Sequence, residues 1–107
     1  MNEIKYVIVS TTVDTEGVAD ELSRKVIDVR LAACVQRTSV RSTYWWKDTV
    51  ENADEVLLSF KTKVSLVGRL TSFIKENHSY DLPEVIVTPI MGGNDDYLNW
   101  LAETLED

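Results

Sequence analysis

The stretch from Ala32 to Trp46 limits the possible folds more than any other, because it is rich in β-forming residues and contains neither Gly nor Pro. At about 3.3 Å per residue, a strand of this length reaches beyond the core of a small domain. Its second half is polar and ends in Trp45-Trp46, and Lys47-Asp48 then predicts a hairpin turn. Adjacent strand residues point to opposite faces, so at least one of the two tryptophans needs a partner surface or a ligand. We expect both at an interface between subunits, and the alternative is a platform on which a ligand stacks.

Length and charge narrow the possible classes of protein. The 107 residues predict one domain, spanning 1–107, and the 44% hydrophobic and 27% charged content is typical of a globular protein. Eleven basic residues against 18 acidic ones give a net charge of −7. Because such a chain repels phosphates, we expect neither nucleic acid nor a membrane surface as a partner. A cation, a small molecule or a protein fits this charge better.

The first residues and the cysteine content of the chain bear on its compartment and its redox chemistry. The first residues lack the basic flank and apolar run of a signal peptide, and no apolar stretch approaches the roughly 20 residues that span a bilayer. The single cysteine, Cys34, allows no intrachain disulfide. These features predict a cytoplasmic protein.

Apolar periodicity predicts the element order β-α-β-β-α-β-α. In chain order the elements are a strand over Ile4–Val13, a helix capped by Asp14, the two hairpin strands, a helix over Val64–Asn77, a short strand over Val85–Val87 whose pairing Pro89 limits, and a helix capped by Asn94. Two split βαβ units of this kind form a ferredoxin-like α+β fold, an antiparallel sheet with helices on one face, here with an extra C-terminal helix. The other sheet face needs cover, which predicts a partner chain.

Five separated motifs occur in series between about Tyr6 and Leu105: Arg30–Val35, Tyr44–Trp46, Glu55–Leu58 followed by Lys61-Thr62, His78–Glu84, and Asp96–Trp100. In this order they resemble the CutA family, the divalent-cation tolerance proteins. The resemblance implies a ferredoxin-like fold and a PII-like homotrimer in which long hairpins continue the sheets of neighbouring chains. It also implies a link to tolerance of copper and other divalent cations, and for animal relatives an anchoring role for a membrane enzyme.

His78, the single histidine, is the candidate metal ligand, because imidazole suits Cu(II), Ni(II) and Zn(II). Some members that resemble this segment carry a second histidine where Asn77 stands and a cysteine where Ser10 stands, and both are absent here. The alternative is a loop histidine that caps the second helix. No cofactor is required on either interpretation, and copper or zinc is the possible metal.

The loop around Tyr80 and Glu84 is expected to line a cleft between subunits, with Lys61 and Glu55 as polar wall residues. The alternative is that Tyr80 packs in the fold and Glu84 caps or forms an ion pair. These four side chains are the candidate ligand-binding set.

Other chemistry-bearing residues have simpler explanations. Cys34 at a strand start is expected to be a small buried hydrophobe. Asp95 and Asp96 begin a helix, where the dipole favours negative charge. An acylphosphatase-like enzyme needs an anion-binding loop with an arginine near the end of the first strand, and residues 10–14 offer neither Gly nor Arg. We therefore expect a non-enzymatic trimer that binds divalent metal or a small ligand, or else a PII-like signalling or scaffold trimer that anchors a protein.

Overall fold

The computed structural model describes residues 3–105, which form a four-stranded antiparallel sheet and three α-helices. The elements are β1 (Tyr6–Val13), α1 (Glu16–Asp28), β2 (Cys34–Trp46), β3 (Thr49–Lys63), α2 (Val67–Glu76), β4 (Ile86–Ile90) and α3 (Asp95–Thr104). A 3₁₀ turn over Val64–Leu66 precedes α2. The strands lie in the order β2-β3-β1-β4. The predicted ferredoxin-like α+β fold with an extra C-terminal helix is confirmed.

The core lies on one face of the sheet, because alternate residues of a strand point the same way. Strands β1 and β3 turn fully buried side chains such as Val9, Leu58 and Phe60 toward this face. Helices α1 and α2 complete the same cluster with Leu22 and Ile74. The opposite face of the sheet carries the alternate residues of these strands, which are partly exposed. The candidate site lies at one end of that face. No helix within residues 3–105 has the length and apolarity to cross a membrane.

Two helix starts differ from the predictions. Helix α1 is capped by Thr15, whose hydroxyl accepts a hydrogen bond from the Val18 amide at 3.1 Å, so the assignment of the cap to Asp14 was wrong. Both residue types cap helices well, and the chain turns one residue later than expected. Asn94 does occupy the N-cap of α3, but it acts through its carbonyl, which accepts from the Leu98 amide at 3.1 Å, and not through its side chain.

The last strand is also longer than predicted. Strand β4 extends past Pro89, which lies opposite Val7 in the register with β1. The expectation that Pro89 limits pairing was wrong, because β4 is an edge strand. A proline is tolerated there, since one side of the strand forms no ladder.

The β2–β3 hairpin extends well past the rest of the sheet. Strand β3 pairs with β1 only over Val56–Lys63, whereas its pairing with β2 continues from Glu55 opposite Val40 to the turn. We call residues 40–55 the hairpin ribbon; seven residue pairs make it on the order of 20 Å long. Lys47 and Asp48 have φ values of 50° and 65°, as a tight two-residue hairpin turn requires, so the predicted turn is confirmed.

Candidate functional site

An open groove of about 770 Å³ lies between the hairpin ribbon and the loop that follows α2. We call it the Glu55 groove. Hydroxyl, aromatic and acidic side chains dominate its lining, which comprises Thr12, Ser42, Thr43, Tyr44, Trp45, Trp46, Glu55, Ser79, Tyr80, Asp81, Leu82 and Glu84. Three carboxylates but neither lysine nor arginine line it, so among residues 3–105 the groove presents a negative surface. Such a surface favours a cationic ligand over an anionic one.

Glu55 and Tyr80 form the central contact of the groove. Glu55 is only 8% exposed, and its Oε2 accepts a hydrogen bond of 2.7 Å from the Tyr80 hydroxyl. Burial first, then this hydrogen bond and the charge of Glu55, raise the pKa of Tyr80 well above its ordinary value of 10.0. Tyr80 therefore remains a protonated donor to the carboxylate at physiological pH. The sequence analysis named both residues, and the structure brings them together.

His78 connects the loop to the end of β1 and lies behind the groove. Its Nδ1 accepts a hydrogen bond of 3.0 Å from the Tyr80 amide, so the ring proton lies on Nε2. Nε2 donates to the Thr12 carbonyl at 2.9 Å and also lies 3.1 Å from the Thr11 hydroxyl. These contacts make His78 a positioning residue for Tyr80, a role that its sequence context did not predict.

The helix-capping alternative for His78 was wrong. Asn77 is the C-cap of α2, and its side-chain amide donates to the Phe73 carbonyl at 2.8 Å. The role of His78 as a metal ligand stays a prediction. A ligand needs a free lone pair on a ring nitrogen, and in this chain Nδ1 uses its lone pair for the Tyr80 amide. Within residues 3–105, no three His, Cys, Asp or Glu side chains come together as a metal site.

The remaining predicted site residues divide into two groups. Glu84 lines the Glu55 groove, and so do Trp45 and Trp46, which are 73% and 39% exposed. Lys61 lies six residues along β3 from Glu55, about 20 Å away. There its ammonium is 3.5 Å from the Tyr97 hydroxyl and 5.4 Å from the centre of that ring. One chain therefore does not bring Lys61 into the groove.

Sequence reasoning missed Tyr44 and Thr12 as groove residues. Val40 lies opposite Glu55, and side chains two residues apart share a face. Tyr44 and Trp46 are therefore on the face of Glu55, and the alternation alone was enough to identify Tyr44. Thr12 is placed by the β1–β3 register, which a single sequence does not specify.

The remaining candidates lie outside the groove. Cys34 is partly buried at the start of β2, opposite Lys61, so the prediction of a buried cysteine holds only in part. Asp95 and Asp96 occupy the first turn of α3, as predicted.

Comparisons with known proteins agree with this architecture. The family described as "CutA1 divalent ion tolerance protein" matches residues 7–104. The chloroplastic protein CutA 1 of Oryza sativa subsp. japonica is 41% identical over 97% of this chain. The divalent-cation tolerance protein CutA of Pectobacterium atrosepticum is 36% identical over 92% of this chain and 91% of its own length. The crystal structure of CutA1 from Oryza sativa matches with a TM-score of 0.94 and 40% identity, covering 97% of this chain and 96% of that one.

The chain spans only 59% of the length of the rice relative. The names of these proteins also correct the predicted location. The Oryza sativa and Arabidopsis thaliana relatives are named chloroplastic, and a structural neighbour from Archaeoglobus fulgidus, with a TM-score of 0.92 and 28% identity, is named a periplasmic divalent cation tolerance protein. These names point away from the cytoplasm, so the cytoplasmic prediction was wrong. The prediction was based on absent features, among them a signal peptide and a membrane span, and such absences do not identify a compartment.

Proposed function

The chain belongs to the CutA1 divalent ion tolerance family, and from this premise we propose that it acts as a non-enzymatic homotrimer that binds a divalent metal ion or a small ligand in clefts between subunits. The names of its relatives describe tolerance of divalent cations and no enzymatic reaction. Tolerance is the family property, and the trimer and its clefts are our proposal for how this chain provides it.

The hairpin ribbon is the observation that carries the proposal. Over its length, β2 and β3 pair with each other and with no third strand among residues 3–105, so both outer edges present backbone donors and acceptors. Exposed edges of this length pair readily with other chains. The ribbon also carries two exposed apolar side chains, those of Trp45 (73% exposed) and Val50 (50% exposed). A second copy of the chain offers matching strand edges, and the rotational symmetry of a trimer uses the same contact three times.

Subunit association of this kind closes the Glu55 groove. The ribbon forms one wall, so a neighbour paired along its edge covers that wall and turns the open groove into a cleft. Lys61 takes its predicted place as a wall residue only if it comes from a neighbouring subunit, because within one chain it lies about 20 Å from Glu55.

The cleft offers oxygen ligands for a divalent ion. Glu55 and Glu84 contribute carboxylates, and the groove also contains Asp81. In this proposal His78 acts as a copper or zinc ligand only when its Nδ1 no longer accepts the hydrogen bond from the Tyr80 amide. A complete site in this proposal therefore draws on more than one subunit or on a shift of the Tyr80 loop.

Light scattering tests the trimer. The wild-type protein is expected at three times the chain mass of 12.2 kDa. Trp45→Ser on the ribbon is expected to shift the population toward lower mass. Trp100→Ser is the matched control, since that side chain is 45% exposed and lies on α3, away from the ribbon. A wild-type monomer of 12.2 kDa at all concentrations would overturn the proposal.

Calorimetric titration of metal-free protein with Cu(II), Zn(II) and Ni(II) tests the metal. Saturable binding at one site per chain is expected, and it is weakened in Glu55→Gln or His78→Ala. Asp54→Asn is the charge-matched control, because Asp54 is exposed and forms an ion pair with Arg41 outside the groove. Binding that none of the groove variants changes would mean that the acidic surface merely attracts cations.

A further inference from the structure

We propose that the Glu55 groove binds an organic ammonium ion, held by the carboxylate of Glu55 and by the aromatic rings of Tyr44 and Tyr80. This inference rests on the proposed function in that it names a ligand class for the same cleft. The ligand chemistry is a primary or quaternary alkylammonium group, whether on a free small molecule or on a lysine side chain of a peptide.

The charge of the groove is the first step. Glu55 is more than nine-tenths buried, and its hydrogen-bond donor in the groove is the neutral hydroxyl of Tyr80. No lysine or arginine is among the groove residues that the structure describes. A buried carboxylate without a cation is unfavourable, so a positively charged ligand stabilises it. Burial is the largest cause of the raised pKa of Tyr80, and the negative charges of Glu55 and Asp14 raise that pKa further.

The aromatic walls are the second step. Tyr44 and Trp46 share the strand face of Glu55, and Tyr80 faces it from the loop. Faces of such rings attract ammonium groups within about 6 Å of the ring centre. The ring of Trp46 shows such a contact within this chain, because the Lys47 ammonium lies 5.7 Å from its centre. Aromatic rings that face a cation recognise alkylated ammonium ions, and the carboxylate of Glu55 adds an opposite charge.

Size and ligand type separate this class from the alternatives. About 770 Å³ falls within the range of small-molecule sites, roughly 300–1,000 Å³. Anions are repelled by Glu55, Asp81 and Glu84. A bare metal ion prefers several converging donors, and no three-ligand cluster exists within residues 3–105.

A shape-matched pair of probes tests the proposal. Choline chloride and 3,3-dimethylbutan-1-ol have almost the same shape, but only choline carries a charge. Each is titrated into the wild-type protein as it assembles, with tryptophan fluorescence and calorimetry as readouts. Saturable binding of choline at least about tenfold tighter than the alcohol is expected. Equal binding of the two probes, or binding of neither choline nor the lysine probe described next, would overturn the proposal.

A second arm identifies the source of the ammonium group. Nα-acetyl-lysine methylamide and its ε-trimethylated form replace choline in the same titration. Tighter binding of these than of choline assigns the groove to a peptide side chain, and tighter binding of choline assigns it to a free small molecule. Both results support the ammonium class.

Paired variants locate the site. Glu55→Gln and Tyr44→Leu are each expected to weaken choline binding by about tenfold. Asp54→Asn and Trp100→Leu are the charge and aromatic controls outside the groove, and both are expected to bind as the wild type does. Weakening by the controls alone would overturn the assignment to the groove.

The mass of every sample is measured alongside, which separates this inference from the proposed function. A trimer that binds metal but not the ammonium probes refutes the inference alone. A monomer that still binds choline refutes the trimer alone.

Discussion

The two halves of β3 form one continuous strand, but their surroundings differ. Residues 56–61 pair with strands on both sides, and the stretch 56–63 buries Leu58, Phe60 and Thr62 completely. Residues 49–55 pair with β2 alone, and Val50 is half exposed. Regular strand geometry is thus maintained with a core beneath it and also without one. The comparison shows that strand pairing continues beyond the core, and that only the inner half of β3 has a core to stabilise it.

Local contacts in the ribbon are individually small. The Thr43 hydroxyl donates to the Asn52 side chain at 2.7 Å, and Arg41 forms an exposed ion pair with Asp54 at 3.0 Å. Cross-strand contacts of this kind contribute roughly 0.2–1 kcal/mol each. A two-stranded hairpin is marginally stable in water, so the ribbon depends on its attachment to the sheet and, in our proposal, on a neighbouring subunit.

The largest expected effect comes from the buried half of β3. Phe60→Ala removes a fully buried ring and leaves a cavity, so the free energy of unfolding is expected to fall by about 3–5 kcal/mol. Urea denaturation followed by circular dichroism measures the change. Phe60→Leu fills most of the space and is expected to lose less.

Trp45→Ala provides the matching test in the ribbon. Its ring is 73% exposed, so in samples diluted until they are monomeric we expect less than about 1 kcal/mol of lost stability. Equal losses for Trp45→Ala and Phe60→Ala under that condition would show that the division between the two halves of β3 is false.

Tyr80→Phe tests the contact where the loop meets the ribbon. The buried Glu55 carboxylate loses its donor, so at pH 7 the free energy of unfolding is expected to fall by about 1–3 kcal/mol. Folding raises the pKa of Tyr80 above 10.0, so the unfolded chain releases this proton at lower pH than the native chain does. The stabilisation is therefore complete below about pH 10 and is lost as the pH rises further.

Denaturation series between pH 7 and pH 11 check that dependence. Phenylalanine has no proton to release. The difference in free energy of unfolding between wild type and Tyr80→Phe is therefore expected to narrow above about pH 10. Tyr44→Phe is the control, because it leaves the Glu55–Tyr80 hydrogen bond in place. A gap that stays constant to pH 11 would contradict the raised pKa of Tyr80.

Sequence reasoning anticipated the periodic parts of the molecule better than its long-range contacts. The element order, the Lys47-Asp48 turn and the ribbon follow from periodicity and turn chemistry, which act over a few residues. The bond from His78 to Thr12 joins residues 66 positions apart, and no local pattern encodes it. Helix and strand boundaries shifted by a residue or more where neighbouring residues, such as Asp14 and Thr15, are equally good caps.

The candidate site likewise has one part that local sequence patterns predict and another part that depends on long-range contacts. Alternation along β2 and β3 determines which side chains share the face of Glu55, and that part was available from the sequence. Lys61 was predicted together with Glu55 as a wall residue of a cleft between subunits. Their six-residue separation already placed them about 20 Å apart, so the grouping required a second chain.

The turn of the ribbon offers a smaller test. Asp48 has a φ of 65°, a left-handed conformation that β-branched residues adopt at a cost of roughly 1–2 kcal/mol. Asp48→Val is expected to lower the free energy of unfolding by about 1 kcal/mol, and Asp48→Gly to raise it by a few tenths. Thermal denaturation of both variants measures which of them is more stable. If Asp48→Val were as stable as Asp48→Gly, the turn would not direct the ribbon.

The smallest expected effect compares one surface arginine from each region. Arg37 lies where β2 crosses α1 and forms ion pairs with both Glu16 and Asp20, while Arg41 on the ribbon forms an ion pair with Asp54. Exposed pairs contribute about 0–1 kcal/mol, and a side chain held by two partners loses its rotamer entropy only once. Arg37→Ala is therefore expected to cost about 0.5 kcal/mol at low salt and less at 1 M salt, and Arg41→Ala close to nothing. Denaturation at the two salt concentrations distinguishes them. A larger, salt-sensitive loss for Arg41→Ala would mean that the ribbon is stabilised by its own charges, and that its dependence on the sheet and on a neighbouring chain is overstated.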